Sequence, residues 1–153
     1  MNKLILILLA FIGTLSACTS AEQKLVDDLD GSWQINQIVF DRYDPLPDTT
    51  VIPTSLSLIG FFACTVADGY CDGSYAINGI TDDEFTFNAI ETDGEKQINI
   101  EPSNVDATYL FNGLFIITTL TPTTLVMETD ASGNFTGFNI PFKKVTISCT
   151  PAP

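Results

Sequence analysis

From Ser32 onward the chain alternates short apolar or alternating runs with turn signals, the pattern of an all-β domain. Asp-Gly stands at 68–69, 72–73 and 93–94, Asn-Gly at 78–79 and 112–113, and Ser-Gly at 132–133. Between them the expected strands are Ser32 to Phe40, Leu56 to Val66, Ser74 to Ile77, Glu84 to Ile90, Gln97 to Glu101, Ala107 to Leu120, Leu125 to Thr129 and Phe135 to Cys149. The fourth puts Phe85, Phe87 and Ala89 on one face, and the fifth does the same for Ile98 and Ile100. Asp93-Gly94 predicts a two-residue hairpin turn with both residues at positive φ, and Gly113 predicts a bulge within a long strand. Asp41 to Pro53, with Pro45, Pro47 and Pro53, predicts an irregular loop, and Pro151-Ala152-Pro153 a frayed tail. No window after the leader shows a helical period. About eight strands at regular spacing point to a closed antiparallel barrel, with a β-sandwich as the alternative.

Upstream, Asn2 and Lys3 precede an unbroken apolar run from Leu4 to Ile12, followed by Gly13, Thr14, Leu15, Ser16, Ala17 and Cys18. A charged start, a short apolar stretch and a small-residue end make an export signal. A transmembrane helix needs about 20 apolar residues, so this run is too short to span. Leu15-Ser16-Ala17-Cys18 resembles the lipobox of bacterial lipoproteins. That resemblance implies cleavage before Cys18, a diacylglycerol on its thiol and a further acyl chain, typically palmitate, on its amino group. An ordinary export signal cut after Ala17 would leave Cys18 a spare thiol, but all four positions fit the lipobox. Thr19 rather than Asp follows, which resembles outer-membrane rather than inner-membrane sorting in enterobacteria. The expected organisation is a leader at 1–17, a lipidated tether at 18–28 with room for one helical turn, and a β-domain at 29–150.

Composition sharpens this picture. The mature chain would keep five basic residues against 19 acidic ones, a net charge of −14, with no histidine and Arg42 as its one arginine. Such a surface repels nucleic acid and anionic headgroups. Three cysteines remain once Cys18 is acylated, so a single bridge leaves one thiol over. Cys64 and Cys71 flank Asp68-Gly69 and are the favoured pair, with Cys149 bridged to one of them as the alternative. Zinc is disfavoured by the absence of histidine and of a C-x2-C spacing. No cofactor is expected.

Catalytic chemistry has little to stand on. A nucleophile wants a histidine or similar base, and none exists. The adjacent carboxylates Asp27-Asp28 and Asp82-Asp83-Glu84 read as solvated tether and turn charges. Asp68-Gly69-x-x-Asp72-Gly73 and Asp130-x-Ser132-Gly133-Asn134 offer alternating oxygens, but neither ends in the glutamate a calcium loop needs. The phenylalanines 61, 62, 85, 87, 111 and 115 serve either as core or as the lining of a cavity.

The domain opens Leu29-Asp30-Gly31-Ser32-Trp33. This Leu-x-Gly-x-Trp, with Phe115 to Thr121 and Leu125-Val126-Met127 later, resembles lipocalin-like lipoproteins of Bacteroidetes-type bacteria. The resemblance implies that 29–150 is a lipocalin-like domain, an eight-stranded up-and-down barrel with Trp33 plugging one end. Many lipocalins lay an arginine over that tryptophan; here Lys143 or Lys144 would have to do so. The functional expectation is a non-enzymatic module, membrane-bound through lipid on Cys18, for a small apolar ligand. The alternative is a structural or protein-interaction lipoprotein of the cell envelope with no ligand pocket.

Overall fold

The computed structural model describes residues 20–43, 45, 47–54, 56–77, 80–103, 111–129 and 142–153. It opens with a helix, α1 (Ala21–Leu29), where a tether was expected. Ser20 caps it, its hydroxyl accepting from the Gln23 backbone N–H at 3.1 Å. Lys24 and Asp28, one turn apart, pair at 2.6 Å on the outer face. Leu25, Val26 and Leu29 are buried on the other. Nine residues with three large apolar positions are too short a window to establish a period, so hydrophobic spacing alone did not define the helix. The described domain therefore includes α1, and in the chain only Thr19 lies between its cap and Cys18.

Nine strands follow: β1 (Gly31–Arg42), β2 (Thr49–Val51), β3 (Leu58–Phe61), β4 (Cys71–Ile77), β5 (Ile80–Thr92), β6 (Glu95–Pro102), β7 (Gly113–Thr121), β8 (Thr124–Thr129) and β9 (Phe142–Pro151). Every pairing is antiparallel, and each strand from β3 to β9 pairs with the next. β1 pairs with β3 on one edge and with β9 on the other, from Trp33↔Pro151 to Arg42↔Phe142. The sheet thus closes on itself as an eight-stranded up-and-down barrel, the lipocalin architecture, and the sandwich alternative falls away. β2 is the ninth strand; it extends the same edge of β1 beyond β3, through Ile38↔Val51 to Phe40↔Thr49. It lies inside the segment expected to be an irregular loop.

The strand boundaries differ from those expected at two glycines and in the β3–β4 loop. Asp72-Gly73 is not a turn but the second and third residues of β4. β3 stops at Phe61, well short of Val66, which starts a 3-10 turn, Val66–Asp68. Gly113 (φ +93°) opens β7 instead of bulging within it, and the register shift falls between Ile117 and Thr119. Asp93 (φ +54°) and Gly94 (φ +82°) form the expected hairpin turn. The C-terminal tail is tied down: Pro151 belongs to β9, and the Ala152 N–H donates to the Ser32 carbonyl at 2.9 Å. The starts of the two longest expected strands, 107–110 and 135–141, lie outside the described residues.

The barrel has two unlike ends. At the near end are Gly31, the β3–β4 loop, the Asp93-Gly94 turn and the Pro122-Thr123 turn, with α1 packed against β5, β7 and the 3-10 turn. At the far end, positions 78–79, 104–110 and 130–141 of the connections lie outside the described residues.

Candidate functional site in the barrel interior and at its near end

Alternation along each strand turns one face inward, and that face is apolar. Ile59 and Phe61 on β3, Phe85 and Phe87 on β5, Ile98 and Ile100 on β6, and Leu125 and Met127 on β8 are all buried. The rings meet edge to face: Phe61 lies 5.8 Å from Phe85 and 5.1 Å from Phe87 between centroids. Between Phe61 and Phe85 in the ladder stands Gly73, paired with both. A Cβ there would overlap the Phe85 ring and come within 2.7 Å of the Gly60 carbonyl oxygen. The glycine is thus the space that lets two phenylalanines share one layer.

Towards the far end the stack changes character. Tyr75 packs on Phe85, and its hydroxyl lies 3.3 Å from an Asp83 carboxylate oxygen. Asp83 shares the inward face of β5 with Phe85 by strand alternation, so it is a strand residue and not a turn charge. Phe111, fully buried, rests on Tyr75 at 5.1 Å and on Phe115 at 6.1 Å. It precedes β7, so its backbone is outside the strand ladder. Of the six phenylalanines read as core or lining, five are buried; Phe62 is 49% exposed.

The near end is held by side chains from α1 and β1. The Trp33 indole N–H donates to the Leu29 carbonyl at 2.9 Å, so Trp33 joins β1 to the helix end. Lys143 and Lys144 are not above it. They sit near the opposite end of β9, paired with Asp41 and Glu128, each at 3.2 Å. Gln23 clamps the β3–β4 loop to the helix: its amide donates to the Cys64 carbonyl and accepts from the Val66 N–H, both at 2.9 Å. Ser20-x-x-Gln23 is a capping-box spacing, the one sequence signal that would have marked both the helix and this clamp.

The cysteines sort as favoured. Cys64 and Cys71 are bonded, with Cα atoms 5.5 Å apart across the loop. A loop this short contributes about 2–3 kcal/mol by restricting the unfolded chain. Reduction of the folded domain should lower its unfolding free energy in urea by that amount. Cys149 is free and buried, and burial pushes its thiol from 9.0 up to about 12. The folded state holds that proton where the unfolded state releases it, so its contribution is intact below pH 9 and declines towards pH 12. Stability of the native chain should fall with pH more steeply there than that of Cys149→Ala, by at most about 1.4 kcal/mol per unit. Alkylation of the native protein at pH 8 should leave Cys149 untouched until the chain is unfolded.

The remaining candidates do not come together. Asp27 and Asp28 are exposed on α1, Asp28 held by Lys24 and Asp27 by the Gln23 amide. Glu84 is exposed on β5. Among the described residues no three acidic, cysteine or histidine side chains group as a metal site. Cys18 and the Asp130–Asn134 pattern lie outside the described residues. No described helix is long and apolar enough to cross a membrane.

A crystallised lipocalin-like protein from Bacteroides uniformis is similar to this chain. Identity is 19%, coverage is 79% of this chain and 96% of that one, and the TM-score is 0.44. No protein-family model and no curated protein matches the chain. The barrel is established by its own strand pairings, which close through β1 and β9 without reference to that structure.

Proposed function

We propose that this chain is an exported lipoprotein, held at the cell envelope by acyl chains on Cys18, whose barrel takes up a small, largely apolar molecule without transforming it. The outer membrane is the expected location. One observation carries the ligand half of the reading. Towards the far end the apolar, aromatic interior gives way to polar side chains: the Tyr75–Asp83 pair, with the Phe111 ring lying against Tyr75, buried Thr129 at the end of β8, and the buried Nε of Arg42 at the end of β1. Ligand sites combine apolar walls with a few placed polar groups. A molecule displacing Phe111 would meet Phe85 and Phe115 on its apolar body and the Tyr75–Asp83 pair at a hydrogen-bonding end.

A second reading has its own support. Phe40, Phe61, Phe87, Phe111 and Phe115 are 0% exposed, so the described interior is already filled in this state. Tyr43, Ile52 (78% exposed) and Leu56 (63%) are exposed on the segments flanking β2. They favour a barrel that acts through its surface.

Native mass spectrometry of the protein purified from its host membranes, followed by titration with a small apolar fluorophore, separates the two. The ligand reading expects a co-purifying apolar mass or micromolar dye binding. It also expects Phe111→Ala to tighten dye binding at least about tenfold, since truncating a buried ring vacates space that apolar molecules fill. A native barrel that carries nothing and binds no dye sinks it and leaves the surface reading.

A further inference from the structure

The β3–β4 loop, Phe62 to Tyr70, is a sparsely charged stretch of an acidic chain. It has one charged residue, Asp68, and exposes Ala63, Ala67 and two aromatics, Phe62 at 49% and Tyr70 at 55%. Phe62 comes two residues before Cys64 and Tyr70 directly before Cys71, and the bridge together with the Phe62 N–H, which donates to the Asp72 carbonyl at 3.0 Å, brings the ends of the loop together. Neither ring is part of the buried core.

Their position relative to the chain's start supplies a reason. The loop is clamped to the first turn of α1 by Gln23, and that turn is capped by Ser20. Cys18 is two residues before the cap, a reach of at most about 7 Å. An acyl chain on Cys18 therefore brings the bilayer to the side of the molecule where Phe62 and Tyr70 are exposed. We propose that Phe62 and Tyr70 enter the lipid headgroup region beside the anchor, so that the near end faces the membrane and the far end points away. This rests on the acylation of Cys18. The amphipathic Tyr70 ring favours that interface, and Phe62 is an apolar side chain of the kind that interfacial segments bury just beneath it. The outer face of α1 carries Asp27 and Asp28, which disfavours anionic lipid and makes a zwitterionic surface the fitting one.

The test uses the acylated mature protein, purified from the membranes of a lipoprotein-exporting bacterium and reconstituted into phosphatidylcholine vesicles with brominated chains. Tyr70→Trp and Tyr43→Trp add a reporter at the loop and beyond the opposite end of β1. Emission from residue 70 should be quenched at least about twofold beyond the parent's Trp33 background, and that from residue 43 should not. Acylated, vesicle-bound protein whose residue 70 is unquenched, or is quenched no more than residue 43, overturns the orientation and leaves the anchor standing. Protein with an unmodified Cys18 overturns both.

Discussion

Gly73→Ala is expected to destabilise the barrel by about 3 kcal/mol, the upper end of the usual cost of overpacking a core. The reason is specific to this position. Gly73 pairs with Phe61 on one side and Phe85 on the other, and a methyl group there would overlap the Phe85 ring. It would also press on the Gly60 carbonyl at 2.7 Å, and backbone in a ladder gives way less easily than a side chain. Gly73→Val should be worse still, leaving little folded protein. For a domain of this size the alanine variant should melt roughly 10 °C lower. Ser74→Ala, the next residue along but on the other face, should change stability by no more than about 0.5 kcal/mol. Shrinking the opposing ring tests the cause: in a Gly73→Ala/Phe85→Leu double variant the two costs should fall short of adding by at least about 1 kcal/mol. Strict additivity in urea unfolding would mean that the ring is not what excludes the methyl group.

The same glycine shows where reading the chain succeeded and where it did not. Alternation of Phe85, Phe87, Ala89, Ile98 and Ile100 foretold the inward faces of β5 and β6, because period two survives in any half-buried strand. Asp93-Gly94 foretold its hairpin, because only residues tolerant of positive φ fit there. Asp72-Gly73 carries the same two letters, yet sits in mid-strand. Its glycine answers to rings from two neighbouring strands, contacts that no local window contains. The helix was hidden for a related reason. Ala21–Leu29 has a single buried stripe of three residues, and its stability comes from the barrel end it covers and from Gln23 reaching across to the loop. The expectation of a lysine over Trp33 came from the family pattern, and the β9 register carries both lysines far from that ring. The disulfide was legible because its two cysteines are close in the chain around a turn. The Tyr75–Asp83 pair was not, since its partners meet only once β4 and β5 are in register.

Cys18→Ser is expected to move the protein from the membrane fraction almost entirely into the soluble one. Each buried methylene of an acyl chain contributes about 0.8 kcal/mol to membrane binding, so two or three chains hold a protein where a single chain holds it only marginally. The structure sharpens what should be lost and what should not. The described residues begin at Ser20, whose hydroxyl caps α1, and the first buried core residue is Leu25. The variant should therefore fold with the same melting temperature and the same Cys64–Cys71 bridge, differing only in where it partitions. With a serine at 18 the lipobox no longer supplies a thiol, so the mass of the exported product should lack any acyl addition, whereas the parent should carry two or three chains. The exposed Phe62 and Tyr70 set the size of any residue of binding: without acyl chains, two rings on a small loop leave at most a weak, reversible association with vesicles. If Cys18→Ser stays in the membrane fraction and resists washing with salt and carbonate, then something other than acylation holds the protein there, and the lipoprotein reading fails whatever the barrel proves to bind.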